Sequence, residues 1–210
     1  MDQQRERLIN APWPAITLVA ILFVCFLLES AFGVDAVAAR LGFAPQDLAH
    51  GTWQPLVTSL FLHGGWLHLL SNSAFALAFA TPVVRRMGLD ASGAVIFFIF
   101  FLACGVLSNL GFAALDPRDT APLVGASGAI AGLMGATSRL LVPGRRLAPF
   151  ASAPVIGMAA SWISVNLVIA FLPWAAPGAG HAIVAWQAHL AGYAAGLLLI
   201  APALRLLGRA

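Results

Sequence analysis

Lysine is absent from this 210-residue chain: all 11 of its Lys+Arg residues are arginine, and charged residues of both signs make up only 9% of the sequence. Soluble domains carry about a quarter of their residues as charges, so this scarcity excludes an ordinary soluble domain. Hydrophobic residues make up 60% and the mean hydropathy is +0.90, which is typical of a membrane protein. The arginines are spread along the chain, so no basic patch forms and we expect no nucleic-acid partner.

Cysteine is scarce as well. Cys25 and Cys104 both lie inside apolar runs, where a free cysteine packs as a small hydrophobic residue. We therefore expect neither a disulfide framework nor a cysteine-based metal site. The chain has no His-Glu-x-x-His motif and no carboxylate cluster, so the sequence predicts no metal.

Windows without charge mark the predicted membrane spans, because an ionisable side chain in hydrocarbon is costly. A helix needs about 20 residues to cross a bilayer, and proline and glycine divide the longer windows. The sequence predicts an all-α polytopic membrane protein with one domain over residues 1–210. Its six predicted spans lie near 11–31, 66–84, 92–112, 127–142, 152–173 and 186–204.

The arginines also predict the topology. With both termini cytoplasmic, only Arg40 and Arg118 fall on the outer side, which is a positive-inside pattern. The first apolar stretch, 8–28, is longer than a signal-peptide core and lacks a small-residue cleavage site, so we expect it to be retained as a span. The arginines on the inner side are Arg5, Arg7, Arg85, Arg86, Arg139, Arg145, Arg146, Arg205 and Arg209.

Two outer loops stand out. Loop 34–65 is long for a connection without regular structure, which usually signals function, and its apolar residues suit a segment lying partly in the outer membrane interface. The alternative is a surface loop with incidental apolar residues. Loop 174–185, rich in alanine, glycine and proline, has the composition of a movable cap. We expect His50 and His181, in these loops, to be solvated or structural.

His68, Asn72 and His189 lie where membrane spans ordinarily carry leucine, and with Ser127 they make four polar side chains. His68 and Asn72 are four residues apart, so they project from one face of the second predicted span near its outer end. Ser127 opens the fourth predicted span and His189 lies about one turn into the sixth, both from the outer side. Each alone is explained by hydrogen bonding between helices. Together they share one depth and form a set of reactive residue types.

The chemistry of that set is nucleophilic catalysis. A serine hydroxyl such as that of Ser127 needs a neighbouring base, and histidine is the usual one. The oxyanion formed from an attacked carbonyl needs backbone N–H groups or side chains such as Asn and His as donors. No Asp or Glu lies inside a predicted span, since Glu29 is at a span end. A Ser–His dyad is therefore expected rather than a triad with a carboxylate.

Small residues explain how Ser127 and His189 would meet. Gly128 and Gly132 follow Ser127 as a Gly-x-x-x-Gly pair, and Gly192 and Gly196 follow His189 on its own span. Helix faces this bare let backbones approach closely. A base on one helix then reaches about 3 Å from a hydroxyl on the other.

Three motifs of the chain resemble those of the rhomboid intramembrane serine proteases. Residues 63–72 (HGGWLHLLSN) resemble the family's His-x4-His-x3-Asn, and Gly125–Gly128 (GASG) resemble its Gly-x-Ser-Gly. Residues 188–196 (AHLAGYAAG) resemble its Ala-His-x2-Gly-x3-Gly. The motifs occur in the family's order and cover most of the predicted bundle.

The resemblance implies a six-span rhomboid-like bundle and assigns roles. Ser127 would be the nucleophile, His189 the general base, and His68 and Asn72 oxyanion donors beside the Ser127 backbone N–H. His63 would be a structural residue of the first loop. No metal or cofactor is implied. The implied partners are single-span transmembrane protein substrates and the lipid bilayer, and short tails with arginine as the only basic residue fit a bacterial cytoplasmic membrane.

Two positions depart from the family pattern. The first loop carries Trp53-Gln54 where many members have Trp-Arg, and Ala131 stands where many have an aromatic residue packed on the catalytic histidine. One hypothesis is that Tyr193, four residues after His189, supplies that aromatic contact; the alternative is a tyrosine that simply packs. For substrate entry near the fifth span, we expect Phe171 and Trp174 at the gate.

Other functions remain possible at this point. A rhomboid-like protein that binds transmembrane clients without cleaving them is one, although the intact Ser127 and His189 argue against it. A transporter or metal-binding membrane protein using His63, His68 and His189 is another, but no acidic metal ligands accompany them.

Overall fold

The structure, a computed structural model, describes residues 10–142, 144, 146–171 and 185–209. Apart from Ala185, the predicted cap loop 174–185 lies outside these residues, as do Trp174, His181 and Arg145. A 3₁₀ turn occupies Ser59–Phe61. The α-helices of the described part are α1 (Trp13–Phe32), α2 (Val34–Leu41), α3 (Pro45–Ala49), α4 (Pro55–Thr58), α5 (Trp66–Met87), α6 (Ala91–Leu115), α7 (Ser127–Leu140), α8 (Ala153–Phe171) and α9 (Trp186–Leu206).

Five helices of the described part, α1, α5, α6, α8 and α9, are long and apolar enough to cross a membrane. The predicted helical membrane protein is thereby confirmed. The fourth predicted span, 127–142, is the 14-residue helix α7, which at about 1.5 Å per residue is shorter than the roughly 30 Å hydrocarbon layer. A count of six spans and cytoplasmic termini remain predictions.

Local sequence explains where the long helices begin and end. Gly65, with φ of +154°, and Gly88, with φ of +95°, flank α5, and the helix starts at Trp66, where the second predicted span begins. Asp90 caps α6, because its Oδ1 accepts a hydrogen bond of 2.9 Å from the Gly93 N–H. Helix α5 continues to Met87, three residues beyond the predicted end at 84.

Helix α7 lies at the centre of the helices, packed against α5, α6, α8 and α9. Every residue from Gly128 to Ser138 is buried except Met134. On the α9 side the two backbones touch: a Cβ at Gly196 would collide with the carbonyl oxygen of Gly132, and one at Gly135 with that of Tyr193. Because no side chain separates them, α7 and α9 hold the first residues of both helices close together.

The long loop 34–65 is folded and packed. Phe43 pairs with Leu123 through two backbone hydrogen bonds of 3.0 and 2.7 Å, which ties the loop to the segment before α7. The Asn109 amide of α6 donates to the Leu56 carbonyl and to the Ser59 hydroxyl, both at 3.0 Å. Phe43, Leu56, Leu60 and Leu62 are buried, so these four apolar residues of the loop are not incidental. Its position in the membrane interface remains a prediction.

Candidate active site

Ser127 and His189 meet at the N-terminal ends of α7 and α9. Ser127 is the first residue of α7 and His189 lies in the first turn of α9. The Ser127 Oγ is 2.8 Å from Nε2 of His189. The imidazole is buried, whereas Ser127 is half-buried. Two residues that the sequence analysis put on separate helices thus lie at the distance that proton transfer requires.

The other ring nitrogen of His189 faces α8. Nδ1 lies 2.8 Å from Oδ1 of Asn166, and the Asn166 Nδ2 donates a 2.9 Å hydrogen bond to the carbonyl oxygen of Trp162. Asn166 is 1% exposed. Asn166 was not among the residues predicted from the sequence, although a polar amide inside a predicted apolar span is a signal that could have found it.

The ring that packs on His189 is that of Trp162. The two ring centroids are 5.6 Å apart with planes inclined by 41°. The sequence hypothesis gave this contact to Tyr193, but the Tyr193 hydroxyl lies near Ser138, eleven residues along α7 from Ser127. Packing between helices, which residue spacing along α9 does not reveal, directs the tyrosine away from the site. Ala131 is buried and leaves room for the indole.

His68 and Asn72 of α5 lie beside Gly125. Gly125 has φ of +124°, and a Cβ there would be 2.7 Å from the His68 Nε2 and 3.6 Å from the Asn72 Nδ2. The Gly64 N–H points to the His68 Nδ1 at 3.4 Å, which favours the neutral tautomer with its proton on Nε2. Two side-chain donors therefore converge two residues before Ser127.

A small cavity lies between Asn72 and Ser127. Its volume is about 30 Å³ and its walls include Asn72, Ser127, Ala131 and Trp162. The Asn72 side chain is 5% exposed, and its Nδ2 has no hydrogen-bond partner among the described residues. Roughly 10–15 Å³ suffices for one water. A buried amide donor left open at such a place calls for an explanation.

His63 lies in the short segment between the 3₁₀ turn and α5, and its ring packs against that of His68. It is fully buried; its N–H donates to Oε2 of Glu29 at 2.8 Å, and its ring meets those of Phe26 and His68 edge-on, at 6.4 and 5.2 Å. Burial, with a smaller effect from His68, lowers the pKa of His63 from 6.5 to about 3. The ring is therefore neutral at physiological pH. Its placement fits a support for His68.

Ser108 of α6 is a further residue that sequence reasoning missed. Its hydroxyl donates a 2.7 Å hydrogen bond to the carbonyl oxygen of Ala188, next to His189. It also occupies the space that a Cβ on Gly128 would need. Ser108 thus joins α6 to α7 and α9 one residue away from Ser127 and from His189.

No metal site competes with this arrangement in the part of the chain that the structure describes, where no three His, Cys, Asp or Glu side chains are grouped to hold an ion. A larger cavity of about 760 Å³ lies beside α1 and α2, lined by Glu29, Arg40 and mostly apolar residues. None of the predicted site residues lines it.

Comparison with known proteins agrees with the motifs. The family model of the rhomboid domain matches residues 50–206. The chain is 40% identical over 88 residues to "Putative rhomboid protease YdcA" of Bacillus subtilis, covering 42% of this chain and 41% of that protein. It is 31% identical over 135 residues to "Rhomboid protease GluP" of the same organism, covering 63% of this chain and 25% of the relative.

A plant relative is similar over a comparable region. "RHOMBOID-like protein 5" of Arabidopsis thaliana is 27% identical over 144 residues, covering 69% of this chain and 42% of that protein. The chain thus spans less than half the length of each of these relatives. The matched domain takes up most of the chain and contains all three motifs. The chain belongs to the rhomboid family.

Proposed function

We propose that this protein is an intramembrane serine endopeptidase that hydrolyses a peptide bond in or near the transmembrane segment of single-span membrane proteins. One observation carries the proposal: the Ser127 hydroxyl lies 2.8 Å from a buried imidazole nitrogen of His189. Relatives named as rhomboid proteases support the reaction class. The catalytic roles of the individual residues are part of the proposal.

In the first step the Ser127 Oγ attacks the scissile carbonyl carbon, and its proton passes to Nε2 of His189. The negative charge develops on the former carbonyl oxygen. His68 Nε2 and Asn72 Nδ2, both beside Gly125, supply donors for it. The backbone N–H of Ser127 is a third donor, since the first N–H groups of a helix lack partners within the helix.

Collapse of this tetrahedral intermediate breaks the carbon–nitrogen bond, and His189 returns its proton to the leaving amine. A water molecule then attacks the acyl-Ser127 ester while His189 accepts a proton from it. The ester bond breaks, Ser127 regains its proton, and the new carboxyl terminus departs. The atoms balance with water as the only co-substrate, so this chain's own residues suffice for the reaction.

Substrate access requires a rearrangement. The cavity at Ser127, about 30 Å³, is far too small for a peptide segment. Helix α8 is the most weakly embedded neighbour, since Val155 and Asn166 are its only buried residues within Ala153–Phe171. We place the entry beside α8, where Phe171 is 80% exposed. Trp174, the other expected gate residue, lies outside the described residues.

The proposed setting is a bacterial cytoplasmic membrane with both termini in the cytoplasm. The bacterial relatives and the arginine distribution of the sequence support it. Ser127 then opens toward the outer face, from which water would reach it. A rhomboid-like binder that cleaves nothing is disfavoured, because a silent protein has no need of a serine hydroxyl held at 2.8 Å from a base.

A fluorophosphonate probe tests the nucleophile directly, because it forms a covalent bond only with an activated serine. We expect the purified protein to be labelled on the peptide that contains Ser127. Ser127→Ala should abolish labelling, whereas Ser161→Ala, which removes an exposed hydroxyl of α8, should leave it unchanged. Equal labelling of wild type and Ser127→Ala would refute the proposed mechanism.

A further inference from the structure

The imidazole of His189 has contacts on α8 that the proposed reaction has not yet used. Asn166 and Trp162 are four residues apart and therefore lie on one face of that helix. We propose that they are the positioning residues of the general base: Asn166 selects its tautomer and supports its protonated form, and Trp162 holds its ring plane. This inference rests on the proposed role of His189 as the base.

The hydrogen bonds settle which nitrogen carries the proton. The Asn166 Nδ2 donates to the carbonyl oxygen of Trp162, so its Oδ1 is the atom that faces His189. An amide oxygen only accepts, and Nδ1 of His189 must therefore carry a hydrogen. A neutral imidazole has one N–H, which leaves Nε2 as the acceptor for the Ser127 hydroxyl. The base is thus held in the form that can take the serine's proton.

The hydrogen bond between Asn166 and His189 also stabilises the protonated imidazole. When Nε2 takes the proton from Ser127, both nitrogens become donors, and the Asn166 oxygen remains opposite Nδ1 at 2.8 Å. A carboxylate would stabilise the imidazolium more strongly, but it would be a second charge in a helix apolar enough to span a membrane. An amide supplies orientation and a partial negative charge without that cost.

Trp162 occupies the place that Ala131 leaves open. Ala131 and Trp162 line the same small cavity as Ser127, and the Trp162 ring centroid is 5.6 Å from that of His189. The bulk next to the base comes from α8 where many rhomboids have it on the serine helix. Rotation of the imidazole away from Ser127 would have to displace the indole.

The burial of Asn166 is specific to this contact. Val155 is the only other buried residue of α8 within Ala153–Phe171, so deep packing of the helix does not explain why Asn166 is 1% exposed. Both supports of His189 come from this weakly embedded helix. A shift of α8 would withdraw the tautomer-selecting bond and the ring contact together.

The surroundings of His189 make a pH profile interpretable. Among the described residues, His68 on α5 is the titratable group that interacts electrostatically with His189. Helices α6, α7 and α8 present Ser108, Ser127, Asn166 and Trp162, none of which titrates near neutral pH. His68 is unchanged in variants of residue 166, so a shift between those variants reports on the support of His189.

The test measures kcat, KM and the pH profile of kcat/KM for cleavage of a labelled single-span substrate in proteoliposomes. Asn166→Leu should lower kcat about 10- to 100-fold with little change in KM, a part of the roughly 10²–10⁴ that general base catalysis contributes. It should also move the acid limb to lower pH, because the imidazolium loses its acceptor. Asn166→Asp should retain more activity and move the acid limb to higher pH.

Substitutions of Trp162 test the contact between its ring and that of His189. Trp162→Phe keeps an aromatic ring and should retain most activity, whereas Trp162→Leu should lower kcat. Ser161→Ala, next to Trp162 but exposed on α8, should behave as wild type in every measurement.

An acid limb that stays at its wild-type position in both Asn166 variants would overturn the inference, whether or not kcat falls, because simple packing of α8 does not move it. Wild-type kcat in Asn166→Leu or in Trp162→Leu would overturn it as well. Ser127→Ala is run beside them. If that variant still cleaves, the proposed function itself fails; if it is inactive while the Asn166 variants resemble wild type, only the positioning role fails.

Discussion

Gly192 of α9 lies directly against the carbonyl oxygen of Gly128 on α7, with no space for a Cβ between them. Gly128 is one residue after Ser127, and Gly192 is three residues after His189. The backbone contact therefore sets the separation of the helix ends that carry the proposed nucleophile and base. A packing feature of two small residues becomes a determinant of the 2.8 Å distance at the site.

Gly192→Ala should nearly abolish cleavage. The added methyl would meet backbone, which cannot rotate away, so α9 must shift from α7. A displacement of about 1 Å between reacting groups costs on the order of 10² in rate. Gly157→Ala is the matched control, since a Cβ there meets nothing within 4 Å. Equal turnover by the two variants in the proteoliposome assay would show that the contact does not set the site's geometry.

Asn72→Ala should separate activity from stability. The Asn72 Nδ2 has no partner among the described residues, so its removal should leave the thermal unfolding temperature unchanged or higher. If Asn72 is the oxyanion donor proposed above, its loss should lower kcat by roughly 10²–10³ with little change in KM. Asn109→Ala is the counterpart: this amide makes two hydrogen bonds of 3.0 Å to the long loop, and its loss should lower stability. A parallel loss of stability in Asn72→Ala would argue for a structural role instead.

Gly125→Ala should impair activity for two reasons. Its φ of +124° is unfavourable for residues with a side chain, and the new Cβ would lie 2.7 Å from the His68 Nε2. Gly51→Ala shares a positive φ, +72°, but meets nothing within 4 Å, so it reports the backbone strain alone. We expect kcat to fall much further in Gly125→Ala than in Gly51→Ala when both are assayed on one substrate. Similar kcat values would mean that contact with His68 is immaterial.

His63 should make the protein less stable in acid. Its pKa falls from 6.5 to about 3 on burial, so between these values the unfolded chain binds a proton that the folded chain does not. The free energy of unfolding therefore decreases as the pH falls from about 6.5 toward 3. His63→Phe should show a shallower decrease over that window, by up to one proton, in denaturation measured in mixed micelles. Identical slopes for the two proteins would show that His63 titrates normally when folded.

Much of the site could be predicted from the sequence, because the signals were local. His68 and Asn72 share a helix face by spacing alone, and Ser127 and His189 each stand out as polar groups beside glycine-rich faces. Glycine and aspartate mark the helix ends: Gly65 precedes α5, Gly88 follows it, and Asp90 precedes α6. Such features need no knowledge of how the helices are arranged.

The missed features depend on tertiary packing. Nothing in the spacing of α8 tells which neighbour Asn166 or Trp162 faces, so the supports of His189 became visible only with the fold. Tyr193 fits the spacing rule for a contact with His189, yet the packing of α9 on α7 takes it toward Ser138. The predicted movable cap remains a prediction, since residues 174–184 lie outside the described part.

The most direct test of the central claim is cleavage of a labelled single-span protein by the purified protein in proteoliposomes, comparing wild type with Ser127→Ala at equal amounts of folded protein. The account predicts two fragments from the wild type, cut in or near the transmembrane segment, and none above background from Ser127→Ala. Fragments produced at the same rate by both proteins would contradict it.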